Sequence, residues 1–410
     1  MSSKKPTERG PTGDTFALVL AGGNGTRLGE LTRWHCKPAI PFAGHFRNID
    51  FTLSNCVNSG VRRIAVLTQY KAQTLITHLA AAWSFLARPL GEFVEVWPAQ
   101  QRLHRSWYLG TADAVHQNLD LILAQRSRYT LVLAGDHIYK MDYRKLIQRH
   151  AESGADVTVA CVPVPVEEAG SFGVLGVDAG CRARSFIEKP APGTLVGTQA
   201  AVLASMGVYV FRTDYLADRV SLDSTNPDSA HDFGRDILPD AARADLVVAH
   251  PFTQEDGRPG YWRDVGTLDA YWQAHMEFLA PEPPIDLYDP TWPIITQAVQ
   301  LPPARLSFDS SHQGYVANSM LAAGVIVHGA QVTSSVLSSC VRVAAGSTID
   351  QAVILPGARI GSGCHLQRVI VDAEIDVPDG TVVESGSRAR LLSHEALLEI
   401  PAARDLRSVA

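Results

Sequence analysis

The strongest constraint on this chain lies near its end, where a single period governs four registers. Ile326, Val343, Ile360 and Val377 stand 17 residues apart. So do Val332, Ile349, Leu366 and Val383, the glycines Gly329, Gly346, Gly363 and Gly380, and the shorter series Val336, Val353 and Ile370. Four registers sharing one period are hard to obtain by chance. A repeat of about 18 residues with apolar positions about six apart is the pattern of a parallel β-helix built from hexapeptides, three to a turn. Inward apolar side chains then stack from coil to coil, and Gly takes the corners. The period predicts about four coils. Such a domain has flat faces and exposed ends that can be buried against copies of itself, so oligomerisation is expected.

Residues 281–303 read as a connection. Pro281, Pro283, Pro284, Pro290, Pro293, Pro302 and Pro303 make a helix there unfavourable. The expected organisation is therefore a disordered tail over 1–14, an α/β domain over 15–280, the connection, and the β-helix domain over 304–410. Strands are expected at 16–20, 63–68, 130–133, 156–162 and 207–211, with helices at 47–59, 72–87, 111–124 and 143–153. This alternation implies βαβ units and a mostly parallel sheet covered on both faces, with ligands at the carboxyl ends of its strands.

Charge and cysteine content narrow the function. The formal net charge of −6 argues against non-specific binding to nucleic acid or to an anionic membrane. A phosphate ligand must then be met by a local cluster of cations. The cysteines at 36, 56, 161, 181, 340 and 364 form no Cys-x-x-Cys pair, so a zinc site is poorly supported. Buried, inert thiols in a reducing compartment are the expected reading. The polar start carries no apolar segment of secretory type, and the apolar run that follows is too short to span a bilayer. A cytoplasmic protein is expected.

Four motifs carry chemistry. Leu20-Ala21-Gly22-Gly23-Asn24-Gly25-Thr26-Arg27-Leu28 follows the first strand. Its glycines let backbone N–H groups approach phosphate oxygens, and Arg27 adds a forked cation suited to a diphosphate. A plain tight turn would explain the glycines but not Arg27. A P-loop is excluded because Thr26-Arg27 follows the last glycine, and a dinucleotide fingerprint because Leu28 stands where a third small residue is needed. Lys37-Pro38 comes next, its Lys flanked by apolar neighbours. In the second motif, an apolar run ends in Gly135-Asp136-His137, which puts Asp136 at the sheet's carboxyl edge. There it could hold a divalent cation or simply form a turn; His137 reads as structural or solvated. In Phe186-Ile187-Glu188-Lys189-Pro190, the Pro is expected to hold Lys189 extended as a fixed cation. Tyr261-Trp262-Arg263-Asp264-Val265-Gly266-Thr267 supplies a second candidate metal carboxylate.

With these pieces placed, the sequence resembles the bacterial ADP-glucose pyrophosphorylases, or glucose-1-phosphate adenylyltransferases, from about residue 15 to about residue 383. The matching stretches include Leu53-Ser54-Asn55-Cys56, Trp107-Tyr108 with Gly110-Thr111-Ala112-Asp113-Ala114, Leu203-Ala204-Ser205-Met206-Gly207, and the Tyr261–Thr267 stretch above. The resemblance implies a Rossmann-like nucleotide-sugar-transferase domain with a left-handed parallel β-helix behind it, a homotetramer, Mg²⁺, a small-molecule effector and a role in storage-glucan synthesis. It implies that ATP meets Leu20, Ala21, Gly22, Gly23, Gly25, Thr26, Arg27, Lys37, Gln100 and Gly110. Glucose 1-phosphate would meet Tyr108, Gly173, Glu188, Lys189 and Ser205, and Mg²⁺ would be held by Asp136 and Asp264. Arg27, Asp136 and Lys189 would be the catalytic groups of an in-line transfer without a covalent intermediate.

The chain departs from the enterobacterial pattern at the regulatory cations. Trp34 and His35 stand where those relatives carry Lys and Arg, and Pro41 replaces a His, while Arg47 is kept. Weak response to fructose 1,6-bisphosphate is expected. Three other readings stay open. One is a transferase using another nucleotide or sugar phosphate, and another is a non-catalytic regulatory subunit, against which Arg27, Asp136, Lys189 and Asp264 argue. The third is an acyltransferase on the β-helix, disfavoured by the few coils and by a repeat whose only histidines are His328 and His365.

Overall fold

The computed structural model describes residues 10–23, 25–100, 107–194, 200–308, 310 and 313–399. Residues 1–9 of the expected tail lie outside them, as do Asn24 and the final stretch 400–410. The rest of that tail, 10–14, is a turn in which the Asp14 amide donates to the Gly10 carbonyl at 3.1 Å.

The first domain runs in chain order through β1 (Thr15–Ala21), the short hairpin β2 (Pro41–Phe42) and β3 (Phe46–Arg47), α1 (Asn48–Asn58), β4 (Arg63–Thr68), α2 (Gln73–Ala82) and β5 (Phe93–Pro98). It continues with α3 (Thr111–His116), α4 (Leu119–Ala124), β6 (Tyr129–Ala134), β7 (His137–Tyr139), α5 (Tyr143–Ser153), β8 (Val157–Pro165), β9 (Gly173–Val177) and β10 (Ala183–Glu188). It closes with β11 (Ala201–Arg212), α6 (Thr213–Ser224), α7 (Leu238–Ala244), β12 (Val247–Pro251), β13 (Trp262–Asp264) and α8 (Leu268–Glu277). The helix expected over 111–124 is broken in two. The Asn118 side chain donates to the Ala114 carbonyl at 2.8 Å and to the Tyr108 hydroxyl at 2.9 Å, competing with the helical ladder.

The main sheet is mixed. Strands β5, β4, β1 and β6 are parallel neighbours; β11 then pairs antiparallel with β6, β8 and β9. Successive residues of β1 are buried on opposite faces, Phe16 and Leu18 in one apolar cluster, Ala17, Val19 and Ala21 in another, as a doubly covered sheet requires. Register matters most for function. Leu20 lies level with Leu67 of β4 and Ala134 of β6, so Gly22, Gln69 and Asp136 emerge together at one edge.

The repeat region folds into three parallel sheets of five strands each. This is one coil more than the period predicts, because the coil containing Arg305–Ser307, Tyr315–Ala317 and Met320–Leu321 does not keep the spacing. Gly329, Gly346, Gly363 and Gly380 have φ of 55°, 75°, 66° and 69°, so they do take left-handed corners. Two parts of the register reading are corrected. Val327, not Ile326, stacks above Val343, because the corner after it is one residue shorter than those below. Val353 and Ile370 do not point inward; they face the first domain and are buried there with Leu28, Ile40, Phe42, Phe51, Tyr271 and Phe278. The inward positions on that face are Leu337, Ile354 and Val371.

Residues 281–303 contain no helix or strand and run along α1. The Ile295 amide donates to the Ser54 hydroxyl at 2.8 Å, and the Asn58 side chain to the Pro293 carbonyl at 3.0 Å. The six cysteines are free. Burial pushes the Cys36 thiol up to about 11, in keeping with an inert group. Cys340 departs from the buried reading and is exposed.

Candidate active site

The loop after β1 opens a cleft of about 500 Å³ at the carboxyl edge of the parallel strands. Leu20, Ala21, Gly22, Gly23, Tyr108, Gly110, Asp136 and Glu188 are among the residues that line it. Gly25 has φ 61°, and a Cβ there would sit 2.8 Å from the Thr32 methyl, so only glycine lets the loop turn into the short helix Thr26–Thr32. Gly110 is held closer still: a Cβ would lie 2.2 Å from the His231 carbonyl oxygen. The Ala112 amide donates to the same carbonyl at 2.8 Å, which ties the Tyr108–Gly110 segment to the one carrying Asp232 and Gly234. Gln69 clamps Tyr108 from the other side, accepting from its amide at 2.8 Å and donating to its carbonyl at 3.3 Å.

At the deep end, β7 pairs antiparallel with β13, which sets Asp264 directly across from His137. This brings Asp136 and Asp264 to one point. Lys37, largely buried, reaches between them, its Nζ 2.9 Å from Asp136 Oδ2 and 2.5 Å from Asp264 Oδ1. Arg27 stands outside this clasp, its Nη2 3.7 Å from Asp264 Oδ2 and its side chain exposed. A Cβ on Gly266 would meet Asp264 Oδ1 at 2.9 Å and Arg27 Nη2 at 3.0 Å. Burial alone would raise the Asp136 carboxyl, but the Lys37 charge and His137 outweigh it and hold it down to about 2. Asp264 is lowered for the same reasons, and the two carboxylates raise Lys37 against the opposing effect of its burial.

Ligating atoms of Asp136, His137 and Asp264 all lie within 4.8 Å of one another. Two carboxylates and one imidazole form a donor set that fits a divalent cation. His137, read from sequence as structural, is thus a member of the cluster.

Glu188 also lines the cleft, in a cradle of glycines: a Cβ on Gly173 would lie 2.8 Å from its Oε2, and one on Gly234 2.6 Å. Lys189 follows it, with Nζ 3.1 Å from Glu188 Oε1. The expectation that Pro190 holds Lys189 extended is overturned. Its φ is 45°, in the left-handed region, while its amide extends the pairing of β10 with β9 by donating to the Phe172 carbonyl at 2.9 Å. Ser205 is buried on β11, beside a register shift that contains Gly207 at φ 67°; its hydroxyl is 3.1 Å from that of Tyr209, which lines the cleft. Gln100 sits just beyond β5, exposed and outside the cleft lining. Residues the sequence reading missed include Gln69, Thr111, Asp232 and Gly234. Asp232 caps a helical turn by accepting from the Gly234 and Arg235 amides, so its only local signal is that of a helix start.

A glycine-rich loop and a carboxylate pair stand at the strand ends, and a hexapeptide coil packs against this domain; the family models that match the chain make it a nucleotidyl transferase of two-domain type. Residues 16–280 match the family model described as Nucleotidyl transferase, and residues 302–389 match the one described as GlmU-like, C-terminal hexapeptide. A glucose-1-phosphate adenylyltransferase of Paramagnetospirillum magneticum is 51% identical over 395 residues, 92% of each chain. One from Paraburkholderia phytofirmans is 51% identical over 377 residues, 90% of each, and one from Nitrosococcus oceani 50% over 376 residues, 91% of this chain and 89% of its own. The chain belongs to the glucose-1-phosphate adenylyltransferase family.

Proposed function

We propose that this chain transfers the adenylyl group of ATP to α-D-glucose 1-phosphate, forming ADP-glucose and releasing diphosphate. The observation that carries this reading is a cleft lined by the glycine-rich loop, Asp136 and Glu188, with Asp136 joined through Lys37 to Asp264. A phosphate oxygen of the sugar phosphate attacks the α-phosphorus of ATP. A new P–O bond forms as the bond to the diphosphate oxygen breaks. The nucleophile is already an anion, so no strong base is needed, and positioning and charge carry the rate.

In this reading the amides of Gly22 and Gly23 cradle the triphosphate, with Gly25 and Thr26 shaping the turn. Arg27 faces the leaving diphosphate. Glu188 accepts from sugar hydroxyls and Lys189 grips the sugar phosphate; Tyr108, Gly173 and, through Tyr209, Ser205 shape that side. Lys189's left-handed backbone is the kind of strain found at ligand clamps. Asp136 and Asp264 would hold Mg²⁺, which when bound supplies charge neutralisation at the α-phosphate and the leaving group. Lys37, which now lies between the two carboxylates, would then be free to meet the phosphates. We also infer a cytoplasmic homotetramer serving storage-glucan synthesis; among the described residues no helix is long and apolar enough to cross a membrane. The test is diphosphate release from glucose 1-phosphate with Mg²⁺ and ATP, UTP, GTP or dTTP in turn. ATP is expected to be strongly preferred, and preference for another nucleotide would overturn the substrate reading.

A cavity of about 630 Å³ between the two domains is the candidate effector site. Among the described residues Arg47 is the one Lys or Arg in its lining, beside Pro41, His45 and His78. Arg47 already donates to the Ala39 carbonyl, Trp34 is 72% exposed, and His35 is 3.0 Å from the Thr74 hydroxyl. One shared cation is a poor receptor for two phosphates. Fructose 1,6-bisphosphate is therefore expected to leave the initial rate of the purified enzyme little changed; a large activation would defeat this.

A further inference from the structure

We propose that His137 is a third protein ligand of the metal, through Nε2. The inference rests on the reading of Asp136 and Asp264 as the metal carboxylates and adds a nitrogen donor to them. Position comes first. Nε2 is 3.6 Å from Asp136 Oδ1 and 3.9 Å from Asp264 Oδ1. These gaps are too long for hydrogen bonds. They suit donors that share an ion, since ligands each ~2.1 Å from one cation sit about 3 Å or more from one another.

The tautomer is the second argument. His137 Nδ1 lies 3.1 Å from the Met206 carbonyl oxygen, which can only accept. In the neutral ring the proton is therefore on Nδ1, and the Nε2 lone pair faces the two carboxylates. A backbone carbonyl behind a ligating imidazole is the usual way such a ring is oriented. The third argument is that the ring is fixed. It meets Trp262 edge-on, with centroids 5.1 Å apart at 82°, and Gly207 leaves room for it, since a Cβ there would lie 3.4 Å from its Cε1. The chain therefore aligns the imidazole by two separate contacts, one to the Met206 carbonyl and one to Trp262. A plain counter-charge would not need them, because Lys37 already supplies one to both carboxylates.

A nitrogen donor shifts the site's preference toward first-row transition ions, Co²⁺ more than Mn²⁺, relative to Mg²⁺. The test uses the full-length protein with Mn²⁺ and inorganic pyrophosphate, a partner that contains no nitrogen, read by pulsed electron paramagnetic resonance. Wild type is expected to show one directly coordinated ¹⁴N. His137→Asn keeps a donor for the Met206 carbonyl but loses Nε2. It should lose the ¹⁴N signal and bind Mn²⁺ about 10–100-fold more weakly. His137→Gln should recover part of the affinity through oxygen, still without the nitrogen signal. A nitrogen-free spectrum of Mn²⁺ bound to wild type, with binding abolished by Asp136→Asn, would overturn the role of His137 alone. Mn²⁺ binding indifferent to Asp136→Asn would overturn the carboxylate assignment and the inference with it. The decisive spectrum is that of the unaltered protein, so a variant that folds poorly does not remove the test.

Discussion

Asp136→Asn should lower the turnover number by about 10²–10³ while the protein stays folded, its melting temperature falling only by the loss of the Asp136–Lys37 pair. The size follows from what one fixed charge at a phosphoryl-transfer centre contributes when water is largely excluded. The survival of the fold follows from geometry. Asn is isosteric with Asp, and Lys37 keeps its 2.5 Å contact with Asp264, so no buried cation is orphaned. Steady-state kinetics in both directions, beside a calorimetric melt, checks both halves. Turnover within a few-fold of wild type would remove Asp136 from the reaction centre.

Lys37→Met should act on stability first. It leaves Asp136 and Asp264, which are 26% and 16% exposed, facing each other without the cation now between them. Breaking a buried ion pair from one side costs ~3–5 kcal/mol; with this residual exposure we expect about 2–4 kcal/mol in metal-free buffer. A divalent cation should restore most of the loss, so the melting temperature of Lys37→Met should rise more on adding Mg²⁺ than that of wild type. The pH dependence should also change sign. In wild type the folded-state carboxyl of Asp136 lies below its ordinary value, at about 2. Its contribution is therefore present above the unfolded value and is lost as the pH falls toward 2. Without Lys37, mutual repulsion raises the folded-state value of one carboxyl above the unfolded one. Mild acid then stabilises the variant relative to neutral pH. Equal melting shifts with and without Mg²⁺ would show that Lys37 does not occupy the cation's place.

Much of this architecture is legible in the chain because it is locally encoded. Strand β4 is found at the residues its β-branched run marks, and the apolar run before Gly135-Asp136 puts that carboxylate at the sheet edge. The 17-residue period survives in three stacked sheets with glycines at left-handed corners. Where one residue serves two purposes, the pattern misleads. Asn118 splits a helix that periodicity runs straight through, because its amide reaches Tyr108 as well as its own backbone. Lys189 ends the pairing of β10 with β9 in a left-handed conformation, which the adjacent Pro190 does not reveal.

The sequence by itself determined the two domains' kinds, the glycine-rich loop, the strand-end Asp136 and the cation at Arg27, since each rests on residue type and short spacing. Only the tertiary structure decided that Asp264 faces His137, that Lys37 lies between two carboxylates, and that Glu188 rests against Gly173 and Gly234. It also decided which repeat positions face the first domain rather than the coil interior: Val353 and Ile370 are as apolar as Ile354 and Val371 beside them. Hydrophobic periodicity records that a side chain leaves water. Which surface buries it, and which distant charge it meets, is set by strand pairing and domain packing between residues more than a hundred positions apart, as with Asp136 and Asp264.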